Sequence, residues 1–293
     1  MPIADFLKKK IEITKLEYDS LKAGKESLLQ KIDEAEIAES VYNSNAIENS
    51  TLTRKQTEKI IFGNIVSGNM KLREVYEAKN LARVTEYIWP HQKIEIKKEQ
   101  ILLIHQILIG GIEDDIAGRF RAKDEQVQVA GHVAPSPEKI EELMSKLLNE
   151  YYGSSGSISQ FFLDKIAKFH LDFEKIHPFN DGNGRIGRVL INWQLQQSGF
   201  PQIIIRNKEK KYYYAAFGEY NAAKKTGIME HVLAMAVMES LHKRLAYLGN
   251  KTIITLADYC RENDKSLPAL INAARRQTIP AFRERGVWKI EVS

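Results

Sequence analysis

Apolar residues recur at three- and four-residue steps along most of this 293-residue chain. This spacing places them on one face of an α-helix and predicts a series of amphipathic helices. The first helical region covers residues 5–47 and is interrupted at Ala23-Gly24. Further helices are predicted at residues 54–65, 74–89, 97–110, 136–152, 158–174, 184–198, 208–224 and 228–248. Thr53 with Gln56 forms a capping box and Gly199 supplies a helix stop, so a mainly α fold is predicted.

One segment within this pattern is not helical. Between Gly118 and Pro137, the residues Val127-Gln128-Val129 alternate in polarity, and His132–Pro135 follow a glycine. Alternation beside a glycine predicts a short β-hairpin or extended flap rather than another helix.

Composition excludes several classes of protein. The chain is 43% hydrophobic and 28% charged, which argues against disorder and a fibrous coiled coil. The single cysteine, Cys260, excludes an internal disulfide and a cysteine zinc cluster, and fits a cytoplasmic setting. Met1–Lys10 has no apolar signal-peptide core, and the apolar run Ile101–Ile112 is too short for a bilayer. We therefore expect no membrane partner, while the net charge of +5 permits an anionic one.

The segment His177–Arg188 concentrates glycines and charged residues between two predicted helices. Its glycines make a tight loop whose backbone can approach a ligand closely. Because the loop opens a helix, the unpaired N–H groups of the first turn form an anion site. Arg185 and Arg188 lie three residues apart and share a face of that helix. Their position opposes the helix dipole, which makes sense if they bind a polyanion.

Two residues of this loop suggest chemistry. Asp181 is a hard oxygen ligand suited to the Mg²⁺ that accompanies a nucleotide. His177 can act as a neutral base at cytosolic pH, and Pro178 is expected to give it an extended backbone. The alternative is a glycine-rich corner with a hydrogen-bonded histidine, which does not explain the whole set of residues.

The twelve residues His177–Arg188 resemble the motif His-Pro-Phe-x-Asp/Glu-Gly-Asn-Gly-Arg-x-x-Arg of the Fic (filamentation induced by cAMP) family at every specified position. The similarity extends from about Glu39 to about Glu239 and includes the turn Gly118–Arg121. It implies a helical core with a β-hairpin flap, and transfer of AMP from ATP to a protein hydroxyl. The flap, near residues 127–135, would dock the target protein through main-chain strand addition.

The resemblance also implies roles for single residues. His177 would deprotonate the target hydroxyl, Asp181 would bind Mg²⁺, and Phe179 would anchor the loop. The residues implied for the ATP phosphates are Gly182, Asn183, Gly184, Arg185 and Arg188. Glycine at position 184 favours AMP transfer, because the phosphorylating branch of the family tends to carry lysine there.

Three weaker signals remain open at this point. Tyr212 and Tyr213 match a tyrosine pair that the family often places beside the base, but two core aromatic residues are an equal interpretation. His105 and His170 lie in apolar helices, and we interpret both as packing histidines.

The segment Ser44–Asn49 resembles the inhibitory motif of the same family, Ser/Thr-x-x-x-Glu-Gly/Asn. Locally it is a helix end, with Asn49 suited to the left-handed residue that follows the last turn. The resemblance implies that Glu48, with Ser44 one turn earlier, reaches Arg188 and occupies the place of the ATP γ-phosphate. An arginine–carboxylate pair of this kind is charge-assisted and often bidentate.

These patterns divide the chain into three parts. Residues 1–35 are a helical arm, which packs, dimerises or is simply exposed; residues 36–249 are the catalytic domain, with the inhibitory helix at about 36–49. Residues 250–293 are similar to a winged helix-turn-helix of the excisionase type, with two helices and a hairpin around Gly286. The basic residues of this part that suit phosphate contacts are Arg275, Arg276, Arg283, Arg285 and Lys289. Acidic residues dilute their charge, so a structural or docking role is favoured over DNA binding.

Protein AMPylation is thus the predicted activity, with ATP and Mg²⁺ as cofactors. Two alternatives remain. The same site can run the reverse reaction and remove AMP from a modified protein, or the chain can be a nucleotide-sensing regulator whose C-terminal part binds DNA. A homodimer is also consistent with the sequence.

Overall fold

The structure, a computed structural model, describes residues 4–66, 68–129, 132–153 and 161–292. In chain order its helices are α1 (Asp5–Lys22), α2 (Glu26–Ile47), α3 (Arg54–Phe62), α4 (Leu72–His91), α5 (Lys98–Ile109), α6 (Ile140–Gly153), α7 (Phe162–Ile176), α8 (Asn183–Gln197), α9 (Lys210–Ala223), α10 (Gly227–Leu248), α11 (Leu256–Glu262) and α12 (Leu267–Arg275). The strands are β1 (Gln128–Val129), β2 (His132–Val133), β3 (Thr252–Thr255), β4 (Ala281–Glu284) and β5 (Val287–Val292). The predicted mainly α class with a β-hairpin is confirmed.

Local signals in the sequence locate most helix ends correctly. The Thr53–Gln56 capping box is present, and Asn49 and Gly199 both have positive φ after their helices. The predicted helix at 136–152 begins later, at Ile140, because Pro137–Lys139 forms a short 3₁₀ turn. The predicted start of the helix at 158–174 lies outside the described residues, and α7 is observed from Phe162.

The C-terminal unit contains a three-stranded antiparallel sheet in the order β3-β5-β4. The two predicted helices and the hairpin around Gly286 are confirmed as α11, α12 and β4–β5. Strand β3, at Thr252–Thr255, was missed by the sequence analysis. This order of elements is compatible with the winged-helix resemblance.

Two apolar clusters hold the helical body together. One contains residues from each of the helices α2 through α8 and includes the fully buried Phe173, Phe179 and Trp193. The other joins α1, α7, α8, α9 and α10 and includes Ile11 and Tyr213. Because α7 and α8 contribute to both clusters, the loop between them is fixed from two sides.

The N-terminal helices are part of this body. Helix α1 packs against α10, and Leu7, Ile11 and Tyr18 are buried there. Of the three alternatives for residues 1–35, packing is therefore the one observed. The predicted boundary at 35/36 falls inside α2, which is unbroken from Glu26 to Ile47.

Buried ion pairs attach α2 to α10. Arg244 of α10 is fully buried and donates to Asp33 and Glu36 of α2, with a distance of 2.8 Å to Glu36. Lys243 lies 3.0 Å from the same Glu36. Buried charges are stable only when paired, so these contacts specify where α2 lies.

A helix that spans a bilayer needs about 20 mostly apolar residues. None of the helices in the described ranges meets that requirement.

Replacing Ile11 tests whether α1 stabilises the fold. Ile11 is fully buried, whereas Ile13 of the same helix is 57% exposed. We expect Ile11→Ala to lower the free energy of unfolding by about 2–4 kcal/mol, because it removes buried methyl groups and leaves a cavity. Ile13→Ala is the matched control and should change it by less than about 0.5 kcal/mol. Equal urea-unfolding curves for the two variants would contradict the assignment.

Candidate functional site

The loop between α7 and α8 presents the predicted base at a helix end. His177 follows α7 in a left-handed conformation, with φ 50°, and its N–H donates to the Phe173 carbonyl. The predicted extended backbone at His177 is wrong. Pro178 disfavours the right-handed helical region, but the left-handed cap that ends α7 satisfies this restriction as well.

Phe179 anchors the loop, as predicted. Its ring is fully buried and stacks on His105 with the centroids 3.7 Å apart. The Phe179 N–H donates to Asn183 Oδ1 at 3.0 Å, and Asn183 Nδ2 donates to the Phe179 carbonyl at 2.8 Å. The Asn183 side chain thus bonds the loop backbone, and the role of Asn183 toward the phosphates stays a prediction.

His105 and His170 are packing histidines, as predicted. His105 is fully buried; its Nδ1 accepts from the Gly118 N–H, and its Nε2 donates to the Asp181 carbonyl, each at 3.0 Å. His170 Nε2 lies 2.8 Å from the Tyr213 hydroxyl. Burial lowers the pKa of His105 to about 4 and that of His170 to about 3, so both are neutral.

Arg121 joins the flap to the base, which the sequence analysis did not predict. Its side chain donates to the His177 carbonyl at 2.8 Å, to the Glu125 carbonyl at 2.7 Å and to the Pro135 carbonyl at 2.9 Å. Glu125 and Pro135 flank the hairpin β1–β2, in which Gln128 pairs with Val133. Residues 130 and 131 of the predicted docking segment 127–135 lie outside the described residues, as do the side chains of Val129 and His132.

His177 is neutral at physiological pH. Burial lowers the pKa of its imidazole to about 4, and the nearby Arg121 charge acts in the same direction. Its Nδ1 lies 3.3 Å from the Glu174 carbonyl, which can only accept a hydrogen bond. Nδ1 therefore carries the proton, and Nε2 keeps the lone pair that can accept one.

Asp181 lies in a cluster of arginines. Its Oδ1 accepts from Arg185 at 2.8 Å and from the Gly182 N–H at 2.6 Å, and its Oδ2 accepts from Arg73 at 2.6 Å. Burial alone would raise the pKa of Asp181, but the charges of Arg185 and Arg73 hold it below its usual range. The Gly182 N–H thus donates within the loop, and its role toward a phosphate stays a prediction.

The two predicted phosphate arginines differ in their surroundings. Arg185 is buried, reaches Glu77 at 3.2 Å, and its Nε has no hydrogen-bond partner in the described part of the chain. Arg188 is 6% exposed and donates from Nε to Ser44 Oγ at 2.9 Å and from Nη2 to the Ser44 carbonyl at 2.8 Å. Nη2 also donates to Glu48 Oε1 at 2.9 Å.

Ser44 and Glu48 therefore meet Arg188 as the motif resemblance implies, although through one nitrogen for Glu48 and not in a bidentate pair. The Glu48 carboxylate also lies directly over Gly184 at the start of α8. A Cβ atom at position 184 would clash with Glu48 Oε1 and would lie 3.1 Å from Arg188 Nη1. Glycine at this position thus makes room for the carboxylate at the predicted anion site.

The two tyrosines of the predicted pair, Tyr212 and Tyr213, point to different sides of α9. Tyr213 is buried against Arg188, with its hydroxyl 3.4 Å from Nη1, and it joins the site. Tyr212 is 51% exposed and contacts His231 of α10, because adjacent residues on a helix point about 100° apart. Its predicted place beside the base is therefore not observed. Tyr214 was not predicted, and its hydroxyl donates to the Ile47 carbonyl at 3.3 Å.

The basic residues of the C-terminal unit fall into two groups. Arg283, Arg285 and Lys289 are paired with Glu239, Glu58 and Glu284, respectively. Arg275 and Arg276 are exposed at the end of α12. DNA binding by this unit stays a prediction.

Comparisons with known proteins agree on one family. Residues 95–195 match the Fic/DOC family. A relative called protein adenylyltransferase Fic from Nematostella vectensis is 33% identical over 205 residues, which are 69% of this chain and 47% of the relative. The protein of the same name from Drosophila willistoni is 32% identical over 190 residues, 64% of this chain and 38% of the relative. The chain spans less than half the length of these relatives.

Solved structures show the same fold. A Fic-domain signalling protein from Bacteroides thetaiotaomicron superimposes with a TM-score of 0.74 at 25% identity, over 83% of this chain and 97% of that one. A Fic family protein from Desulfovibrio desulfuricans covers 97% of this chain and 96% of its own, with a TM-score of 0.64 at 20% identity.

Glu174 allows a test of the site's electrostatics. Burial raises the pKa of this carboxyl to about 8, the Glu48 charge adds to the effect, Arg188 opposes it, and Glu174 Oε1 has no partner among the described residues. The folded state therefore keeps the proton that the unfolded chain loses above pH 4.5. Stability from this group is complete below pH 4.5 and is lost as pH rises toward 8.

Between pH 5 and pH 8, we expect the wild type to lose at least about 1 kcal/mol of unfolding free energy relative to Glu174→Gln. Urea unfolding of both proteins at the two pH values measures this difference. Glu142→Gln, on the exposed face of α6, is the control and should follow the wild type. Parallel behaviour of the wild type and Glu174→Gln would show that Glu174 is ionised in the fold.

Proposed function

Because residues 95–195 belong to the Fic/DOC family, we propose that this chain transfers AMP from ATP to a hydroxyl side chain of a target protein. The observation that carries the proposal is the placement of a neutral His177 at the mouth of a loop that opens an anion site on α8. The names of the curated relatives, protein adenylyltransferase Fic, support the same activity.

The proposed reaction uses His177 as a general base. The target hydroxyl gives its proton to Nε2 of His177 while its oxygen attacks the α-phosphorus of ATP. The bond between that phosphorus and the bridging oxygen breaks, and pyrophosphate leaves with the electron pair. A base with a pKa of about 4 is unprotonated at neutral pH and is ready to accept the proton as the bond forms.

The α8 N-terminus supplies the charge stabilisation. The unpaired N–H groups of its first turn and the positive end of its dipole attract phosphate oxygens. Arg185 contributes a buried cation whose Nε is unused in the described structure, and Arg188 contributes a second cation once it is free of Glu48. Most of the catalytic effect would then come from positioning and preorganised charge.

Asp181 fits a Mg²⁺ ion as one carboxylate ligand, and Mg²⁺ often takes one carboxylate plus substrate phosphates. No larger cluster of metal-binding side chains occurs within the described ranges. Oδ2 of Asp181 accepts from Arg73, whose side chain is 48% exposed and also pairs with Glu77 and Glu113. When bound, Mg²⁺ would neutralise phosphate charge.

We further propose that Glu48 restrains this activity. Its carboxylate lies on the first turn of α8, above Gly184, where an anionic phosphate would otherwise lie. It also takes one donor of Arg188, the cation proposed for the outer phosphates. An attached carboxylate at this place competes with ATP or holds it in an unproductive position.

The hairpin β1–β2 is the proposed docking edge for the target. An extended segment that adds to a strand presents its backbone in register, so a neighbouring hydroxyl can reach His177. Arg121 supports this geometry, because it bonds the carbonyls on both sides of the hairpin and that of His177.

Removing the Glu48 carboxylate should activate the enzyme. We expect Glu48→Gly to raise AMP transfer at least tenfold, which corresponds to about 1.4 kcal/mol of barrier. Arg188→Ala should not show this gain, because it frees the site but removes a phosphate-binding cation. The measurement is transfer of labelled AMP at matched ATP and target concentrations. Equal rates for the wild type and Glu48→Gly would overturn the autoinhibition while leaving the base assignment intact.

The base is tested in the activated background. Glu48→Gly should label its target, or itself, with AMP, and the double variant Glu48→Gly/His177→Ala should lose at least a hundredfold in rate. Labelling that is unchanged by His177→Ala would refute the proposed function. Release of AMP from a pre-modified target by the wild type, lost in His177→Ala, would instead favour the reverse reaction.

A further inference from the structure

A cavity lies away from His177 and Arg188, between the helical body and the C-terminal unit. It encloses about 610 Å³. Tyr212 of α9, Val232 and Met235 of α10, Ile271 of α12 and Trp288 of β5 contribute to its walls. This volume is in the range of small-molecule sites, which combine apolar walls with a few polar groups.

The cavity carries an excess of positive charge. Its charged lining residues are the four cations Lys208, Lys211, Arg275 and Arg283 and the two carboxylates Glu209 and Glu239. Arg283 pairs with both carboxylates, at 2.6 Å each, which leaves one negative charge against the other three cations. Lys208, Lys211 and Arg275 are exposed and have no ion-pair partner in the described part of the chain. The lining therefore keeps a net charge of +2, and three of its four cations are exposed and without an ion-pair partner in the described residues.

Two aromatic rings, those of Tyr212 and Trp288, also line the cavity. The half-exposed Tyr212 ring stands edge-on to His231, with the centroids 6.0 Å apart. The Arg283 guanidinium lies 4.5 Å from the centre of the Trp288 ring. A planar ligand can stack on such rings, and its acidic group can pair with the free cations. We propose that this cavity binds a small aromatic anion, a ring that carries a carboxylate, sulfonate or phosphate.

The cavity wall also contacts α2. Gly286, at the tip of the β4–β5 hairpin, lines the cavity, and its N–H donates to Glu39 of α2 at 2.9 Å. The Arg285 N–H donates to the same carboxylate at 3.0 Å. Glu39 precedes Glu48 by nine residues, about 14 Å along the helix. A ligand that shifts the hairpin therefore disturbs the helix that ends at Glu48.

Fluorescence titration of the full chain tests the site. The probe is 1-anilinonaphthalene-8-sulfonate, and N-phenyl-1-naphthylamine is its uncharged counterpart with the same rings. We expect one saturable sulfonate site per chain, with at least tenfold higher affinity than for the neutral dye. The triple variant Lys208→Gln/Lys211→Gln/Arg275→Gln should lose at least tenfold in affinity for the sulfonate and keep its affinity for the neutral dye.

Lys55→Gln, an exposed lysine of α3, is the matched control and should bind both dyes as the wild type does. Thermal melting by circular dichroism confirms that each variant is folded. Equal affinity of the triple variant and the wild type for the sulfonate would overturn the proposal. So would binding without saturation, or equal affinity of the wild type for the two dyes.

The link to α2 rests on the proposed autoinhibition and has a separate test. The sulfonate should change AMP transfer by the wild type at least twofold, and by less in Glu48→Gly. A bound probe with no effect on the wild type would overturn the link but not the site. An equal effect on Glu48→Gly would indicate action at the catalytic loop and would also overturn the link. Failure of Glu48→Gly to gain activity would instead show that the proposed autoinhibition is wrong.

Discussion

The geometry around the loop His177–Arg188 depends on one buried guanidinium, that of Arg188. Arg188 is almost fully covered, and a buried cation without partners costs several kcal/mol. Its partners are Ser44 and Glu48, which lie about 140 residues away in sequence. The last turn of α2 must therefore rest on the first turns of α8, and the rest of α2 must be held in register with it.

The remaining contacts of α2 hold the whole helix in the position that this pairing requires. Arg244 and Lys243 hold its middle from α10, and Arg206 with the β4–β5 tip hold Glu39. These are buried, charge-assisted bonds in a low-dielectric setting, where each partner specifies the position of the other. The N-terminal helices, the catalytic loop and the C-terminal unit thus form one connected structure, although the sequence suggested three separable parts.

Local patterns in the sequence predicted the helices and the hairpins, but they did not predict contacts between residues that are distant in the sequence. The helices and the capping box at Thr53 follow from spacing and from residues a few positions apart. The buried position of Phe179 was implied by the family resemblance. The Glu48–Arg188 contact was predicted only through family resemblance, since no local rule joins two such distant residues. Strand β3 could have been predicted from its run of β-branched residues, Thr252–Thr255. It was missed because the segments on both sides of it are predicted helices.

Other site residues had no local signal at all. Glu174 occurs among charged residues near the end of α7 and looks like a solvent-facing glutamate, yet it is buried beside His177. Arg73 lies more than a hundred residues before Asp181, which it contacts. The extended backbone expected at His177 was wrong because a proline rule excludes one conformation without choosing between the others, and the helix cap made that choice.

Under the proposed function, Arg121 bears on how targets would be selected. One rigid guanidinium bonds the backbone of His177 and both flanks of the β1–β2 hairpin. If the proposed docking holds, a segment that displaced the hairpin would also tilt the His177 imidazole through Arg121. A poorly fitting target would then be modified more slowly as well as bound more weakly. The protein would then distinguish between target proteins by how well each one keeps the His177 imidazole aligned for proton transfer.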